Sequence, residues 1–135
     1  MKKNYKIGDK FVKPISFDYE KVSQFAEISE DINPIHLDRE AAGKSVFNKP
    51  IVHGMLASST FSAVIANHIP GPGSIYLHQS LDFKKPVYHN QLVEAVVEIT
   101  NIKSEKNIYE LSTILFSETQ EVLIEGRAIV LYKDN

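Results

Sequence analysis

The sequence predicts an α+β domain in which a curved antiparallel sheet of about five strands wraps around one central buried helix. Three observations carry that prediction. Residues 53–68, HGMLASSTFSAVIANH, hold no charged side chain, and their small residues spread around the helix instead of along one side. After Pro70-Gly71-Pro72-Gly73 the apolar periodicity changes from helical to two. The β-rich runs that follow are joined by short polar turns, which favours antiparallel neighbours.

The length of 135 residues suits one core, and no repeat, Ser/Gly linker or charge block divides the chain, so residues 1–135 read as a single domain. With 43% hydrophobic and 24% charged residues the composition is that of a folded globular protein. Fifteen Lys+Arg against seventeen Asp+Glu give a net charge of -2, which provides no basic field for nucleic acid or anionic lipid. The absence of cysteine excludes disulfides, thiolate chemistry and Cys-ligated metal. The N-terminal MKKNYKIGDK has no apolar segment behind it and no run reaches the ~18 apolar residues of a membrane span, so the expected address is cytoplasmic.

Element by element, a strand is expected around residues 10–17. A helix follows over 19–30: Val22, Phe25, Ala26 and Ser29 recur at helical spacing, Asp18 stands ready to cap the first N–H groups, and Glu20 suits the first turn. The helix must stop before Asn33-Pro34, because proline disfavours the α conformation of the residue before it. Asp31 to His36 is therefore expected as a loop. The uncharged helix over 53–68 is apolar nearly all round and too short for a bilayer, so a surrounding sheet must bury every side of it. Over 75–83 Ile75, Leu77, Leu81 and Phe83 share one side, as in a half-buried strand. Val93 to Ile99, residues 108–117 and Val122 to Tyr132 supply the others, with Ser104-Glu105-Lys106-Asn107 as a turn. Edge strands of so small a sheet invite dimerisation.

Chemistry concentrates in two places. Around the rigid turn Asp31-Ile32-Asn33-Pro34-Ile35-His36, a carboxylate and an imidazole five residues apart can point into one cavity and hold a water between them, the equipment of proton transfer. The same residues also suit a plain polar loop with an Asx turn at Asn33. Seventeen residues beyond His36, His53-Gly54 opens the uncharged helix. Its unpaired N–H groups and dipole favour negative charge, and glycine lets a carbonyl oxygen approach, so an N–H there could stabilise a thioester enolate, an effect worth ~10²–10³ in rate per donor. A glycine that only eases the chain into a crowded interior fits equally. Ser58, Ser62 and Ile65 follow Gly54 at spacings of four, four and three, which places them on one stripe, as either core or the lining of a pocket beyond that N–H.

Asp31-Ile32-Asn33-Pro34-Ile35-His36-Leu37-Asp38, Phe47 with Ile51-Val52-His53-Gly54-Met55, and the looser Pro72-Gly73-Ser74-Ile75-Tyr76 with Phe83-Lys84-Lys85-Pro86-Val87 resemble the MaoC-like dehydratases and (R)-specific enoyl-CoA hydratases over nearly the whole chain. The resemblance implies the hot-dog fold, a homodimer or higher assembly, Asp31 and His36 as catalytic pair, and the Gly54 N–H on the thioester oxygen. It implies reversible syn hydration of a trans-2-enoyl thioester to the (R)-3-hydroxyacyl thioester. Asn33 and His53 join Ser58, Ser62 and Ile65 as substrate-binding candidates, the last three as the lining that would set acyl-chain length. No metal or redox cofactor is implied, coenzyme A or an acyl-carrier protein entering only as part of the substrate. One departure bears on that carrier: many members of the family carry a basic residue where this chain has Asp82, which would disfavour phosphate if that position meets the carrier, although Lys84 and Lys85 stand close by.

Two other functions compete. A thioesterase of the same fold would release free thiol from an acyl-CoA, whereas a hydratase consumes the enoyl absorbance without thiol. A silent acyl-CoA-binding module would have no use for the Asp31–His36 pair. A metal site of His36, Asp38 and His53 is disfavoured, since no second His occurs at i,i+4 spacing. His68, His78 and His89 receive no role.

Overall fold

Two long strands show the alternation that half-buried sheets require. Val93, Ala95, Val97 and Ile99 are fully buried on β4 (Val93–Lys103), as are Leu111, Thr113 and Leu115 on β5 (Ile108–Ser117), while the intervening side chains reach the surface. Asn107, in the left-handed conformation at φ 55, closes the short turn between them, a conformation that asparagine tolerates. β6 (Val122–Leu131) completes this centre, and β1 (Lys10–Ile15) pairs antiparallel with β4 along its whole length.

The computed structural model describes residues 4–133. Its sheet has six strands where about five were expected, in the order β1-β4-β5-β6-β2, all neighbours antiparallel. The sixth arises because the expected 75–83 strand is broken into β2 (Ile75–Gln79) and β3 (Asp82–Phe83), both paired to β6. Gly126 shows why. A Cβ there would stand 1.8 Å from the Ser80 carbonyl oxygen, so the chain crosses β6 at a distance only glycine permits, and Ser80 Oγ accepts from Arg127 N at 2.9 Å beside it. This segment is also not half-buried: Ile75, Tyr76, Leu77 and His78 are all exposed on β2, which lies at the sheet edge.

Four α-helices accompany the sheet among the described residues. Asp18 caps α1 (Tyr19–Ser29) by accepting from Lys21 N at 2.9 Å, and Glu30 ends it in the left-handed conformation. The expected loop 31–36 proves partly helical, and two short helices, α2 (Pro34–Leu37) and α3 (Arg39–Gly43), fill the ground after Asn33. Pro34 starts α2 because its missing N–H costs nothing at a first helical position. α4 (Gly54–Asn67) packs on β4, with Phe61, Val64 and Ile65 in the main core; each such burial contributes roughly 1.5–3 kcal/mol. Met55, Ser59, Ser62 and Ala66 form an exposed face at spacings of four, three and four, so one side stays uncovered in the single chain. No helix among the described residues is long and apolar enough to cross a membrane.

Candidate active site

The segment after α1 is built from side chains bonding to nearby backbone. Ser29 Oγ accepts from Asp31 N (3.1 Å), Asp31 Oδ1 from Asn33 N (3.2 Å) and Asn33 Oδ1 from Ile35 N (3.2 Å), three turns in succession that carry the chain from α1 into α2. Asp38 repeats the device, accepting from Glu40 N and Ala41 N to cap α3. Asn33 and Asp38 are thus spent on their own backbone, and neither lines the cavity described next.

Residues 51–53 lie alongside this segment. Ile51 N donates to Ile35 O (3.1 Å) and Val52 N to Val87 O (2.7 Å). The Ile51 carbonyl accepts from His36 Nδ1 (2.9 Å), and the Asp31 carbonyl accepts from His53 Nε2 (3.0 Å). Carbonyls only accept, so both nitrogens carry protons and, in the neutral rings, His36 Nε2 and His53 Nδ1 hold the lone pairs. The two rings stack with centroids 3.9 Å apart, and Phe25 closes the far side of His53 edge-on at 4.9 Å. His36 is 7% exposed and His53 2%. Burial, first, and the neighbouring His53 hold the His36 imidazole below its ordinary pKa, against the opposing pull of the Ile51 carbonyl and Asp31.

Asp31, His36, His53 and Gly54 all line one cavity of about 500 Å³, whose remaining wall is mostly apolar: Phe47, Val52, Met55, Phe83 and Val87 among others. Gly54 is the first residue of α4, so its N–H has no partner in the helix, and a Cβ on it would meet the Phe83 ring at 2.6 Å. The aromatic edge therefore rests directly on the helix start. Phe83, the Ile51 carbonyl and Phe25 were not singled out as functional. The sequence places Phe83 on one side of a strand that the structure breaks in two, and a backbone carbonyl leaves no signal in a sequence.

The chain-length candidates fall elsewhere. Ser58 is buried with Oγ donating to Gly54 O at 2.8 Å, Ile65 lies in the core at 2% exposure, and Ser62 faces outward. None lines the cavity. A step of four residues overshoots one helical turn, which carries Ser62 past the boundary between the covered and open sides. One ligand-type atom from each of Asp31, His36 and His53 lies within 4.8 Å of the others, a set chemically able to hold a cation, with Asp31 in the place the sequence reading gave to Asp38.

The MaoC-like domain model matches residues 3–119. The chain belongs to the MaoC-like domain family. This MaoC-like chain is 43% identical over 124 residues to an (R)-specific enoyl-CoA hydratase of Aeromonas caviae, covering 92% of both proteins. It is 38% identical over 129 residues to a mitochondrial 3-hydroxyacyl-[acyl-carrier-protein] dehydratase of Arabidopsis thaliana, covering 93% of this chain and 76% of that protein. Among solved structures, the (R)-hydratase of A. caviae involved in PHA biosynthesis superimposes with a TM-score of 0.94 at 41% identity, over 96% of this chain and 98% of that one. An R-hydratase of Pseudomonas aeruginosa gives 0.91 at 32%, over 97% and 84%. The fold is the hot-dog fold of these hydratases.

Proposed function

We propose that this MaoC-like protein is an (R)-specific enoyl-CoA hydratase, catalysing reversible syn hydration of trans-2-enoyl thioesters. The observation that carries the reading is the convergence of Asp31, His36 and the unpaired Gly54 N–H on one largely apolar cavity. The Gly54 N–H receives the thioester oxygen, where negative charge grows as the enolate forms. Asp31 and His36 hold the water. As its oxygen bonds to the β-carbon, the pair takes one of its protons and a proton is delivered to the α-carbon on the same face. Proton transfer and an N–H donor suffice, so no metal or redox cofactor enters the reaction.

Support comes from the Aeromonas caviae relative, which is named for this activity and is matched over most of both proteins. Acyl-carrier-protein substrates enter through the Arabidopsis dehydratase relative. We further propose a homodimer built on the open side of the chain, where Ile75, Leu77 and Phe83 of the edge segment and Met55 of α4 are all more than half exposed, an unusual display of apolar surface for a lone protomer. Sedimentation equilibrium at twice the chain mass supports this, and a monomer overturns it.

Crotonyl-CoA is the test substrate. Loss of enoyl absorbance with (R)-3-hydroxybutyryl-CoA as product supports hydration, whereas release of free thiol indicates a thioesterase. Asp31→Asn and His36→Ala are each expected to lose ~10²–10⁴ in rate. Wild-type turnover in both variants overturns the assignment.

A further inference from the structure

The proposed hydration employs one of two stacked imidazoles. His36 gives its Nδ1 proton to Ile51 O at 2.9 Å and His53 gives its Nε2 proton to Asp31 O at 3.0 Å, so the nitrogens left with lone pairs are His36 Nε2 and His53 Nδ1. Proton transfer uses the first. The second belongs to a ring that is 2% exposed, and no hydrogen-bond donor reaches it among the described residues. A buried acceptor without a donor is costly, and a small cation relieves that cost. One ligand-type atom from each of Asp31, His36 and His53 lies within 4.8 Å of the other two, the one such group of three among the described residues.

We propose that Asp31, His36 and His53 bind a divalent ion of the zinc type, which takes the place of the reacting water and halts hydration. Two imidazole nitrogens and a carboxylate oxygen suit zinc, whereas magnesium and calcium take oxygen ligands. The surroundings that such an ion needs are already built. A metal-bound histidine characteristically donates its other ring N–H to a carbonyl or carboxylate, which fixes the tautomer and orients the ring, and both rings here do so. The ligand atoms must still draw together, since zinc–nitrogen bonds of about 2.0 Å hold tetrahedral ligand atoms roughly 3.3 Å apart. Asp31 is exposed and is the side chain with freedom to make that movement. Coordination then occupies the His36 lone pair and the Asp31 carboxylate together, so neither can take a proton from water or return one to the α-carbon. Inhibition by the ion rests on the hydratase reading; binding of the ion does not.

The test uses the intact protein, stripped with EDTA and exchanged into chelator-free buffer. Calorimetry with zinc chloride is expected to show one ion per chain, and magnesium chloride should not compete. Cobalt(II) chloride in place of zinc should develop the intense visible absorption of a low-coordinate nitrogen and oxygen site, which the hydrated ion lacks. Asp31→Asn and His53→Gln should each weaken zinc binding by ~10²-fold or more, since even the groups behind the ligands are worth about 10–100-fold. In crotonyl-CoA hydration, zinc should silence the wild type and EDTA should restore it, whereas His53→Gln should keep its own zinc-free rate at the same zinc concentration. No zinc binding, binding unchanged in both variants, zinc-loaded wild type that still hydrates, or equal inhibition of wild type and His53→Gln overturns the proposal. Zinc binding that is lost in both variants of a protein found to have no hydratase activity supports the site and counts only against the hydratase reading.

Discussion

The imidazoles of His36 and His53 are stacked at 3.9 Å with planes inclined by 26°, and each donates to a carbonyl in the segment that carries the other: His36 to Ile51, His53 to Asp31. The two segments that supply the acid–imidazole pair and the helix start are thereby cross-tied, and a charge on either ring opposes a charge on its neighbour.

The cross-tie fixes a pH dependence. Burial holds the folded pKa of His36 below 6.5, and burial likewise lowers that of His89. A lowered histidine pKa means that the unfolded chain binds more protons than the folded one as pH drops. The stability is therefore fully present above the unfolded value of 6.5 and is lost as pH falls below it toward the folded pKa. Thermal melts should show Tm level above neutrality and declining as pH drops below 6.5, and His36→Ala should shrink that decline. In the proposed pair His36 takes part as the neutral ring, so kcat/KM should fall on the acid side with an apparent pKa below 6.5, and an apparent pKa above 7 would contradict the buried, neutral ring.

His53 should matter through what it holds. His53→Ala removes the donor from the Asp31 carbonyl and the support beneath His36, and is expected to cost about 2 kcal/mol in urea unfolding. His53→Gln keeps an amide donor and should restore part of both the stability and the rate, whereas equal loss in the two variants would mean that only ring volume matters.

Gly126→Ala is expected to be among the most damaging small substitutions in the chain. The added carbon would stand 1.8 Å from backbone at Ser80, which no rotamer change can relieve. β2 and β3 would have to leave β6, at a cost of about 3 kcal/mol or more. A melting temperature within a few degrees of wild type would show that the crossing can loosen without harm.

The parts of this molecule that were legible beforehand are those where periodicity acts locally. α1 with its Asp18 cap, the uncharged α4 and the alternating β4, β5 and β6 all declare themselves within their own residues. α2 and α3 did not, because four- and five-residue helices are held by Asn33 and Asp38 caps and not by any apolar repeat. The break between β2 and β3 depends on Gly126, some forty-six residues away in the chain, and the open face of α4 depends on which side the sheet leaves uncovered. Within the site, the gathering of Asp31, His36, His53 and Gly54 was readable as motif and spacing, while the Ile51 carbonyl that sets the His36 tautomer is backbone and has no letter.

Gly54 offers the sharpest separation of chemistry from fold. Gly54→Ala preserves the backbone N–H, so a donor for the thioester oxygen remains, but the new methyl meets the Phe83 ring at 2.6 Å. Phe83 lies outside the buried core cluster and β3 is only two residues long, so the ring can move aside within the proposed dimer face at little cost to the fold of the protomer. Its movement changes the wall of the cavity beside the reacting carbonyl, and displacements of about 1 Å at such a place can cost ~10²-fold in rate. The expected result is a nearly unchanged melting temperature with kcat/KM reduced by roughly that factor. Combining Gly54→Ala with Phe83→Leu, which removes the clashing ring edge, should recover much of the loss. If the double variant is no better than the single, the ring contact is not the cause, and the damage must come from the methyl group entering the path of the thioester itself.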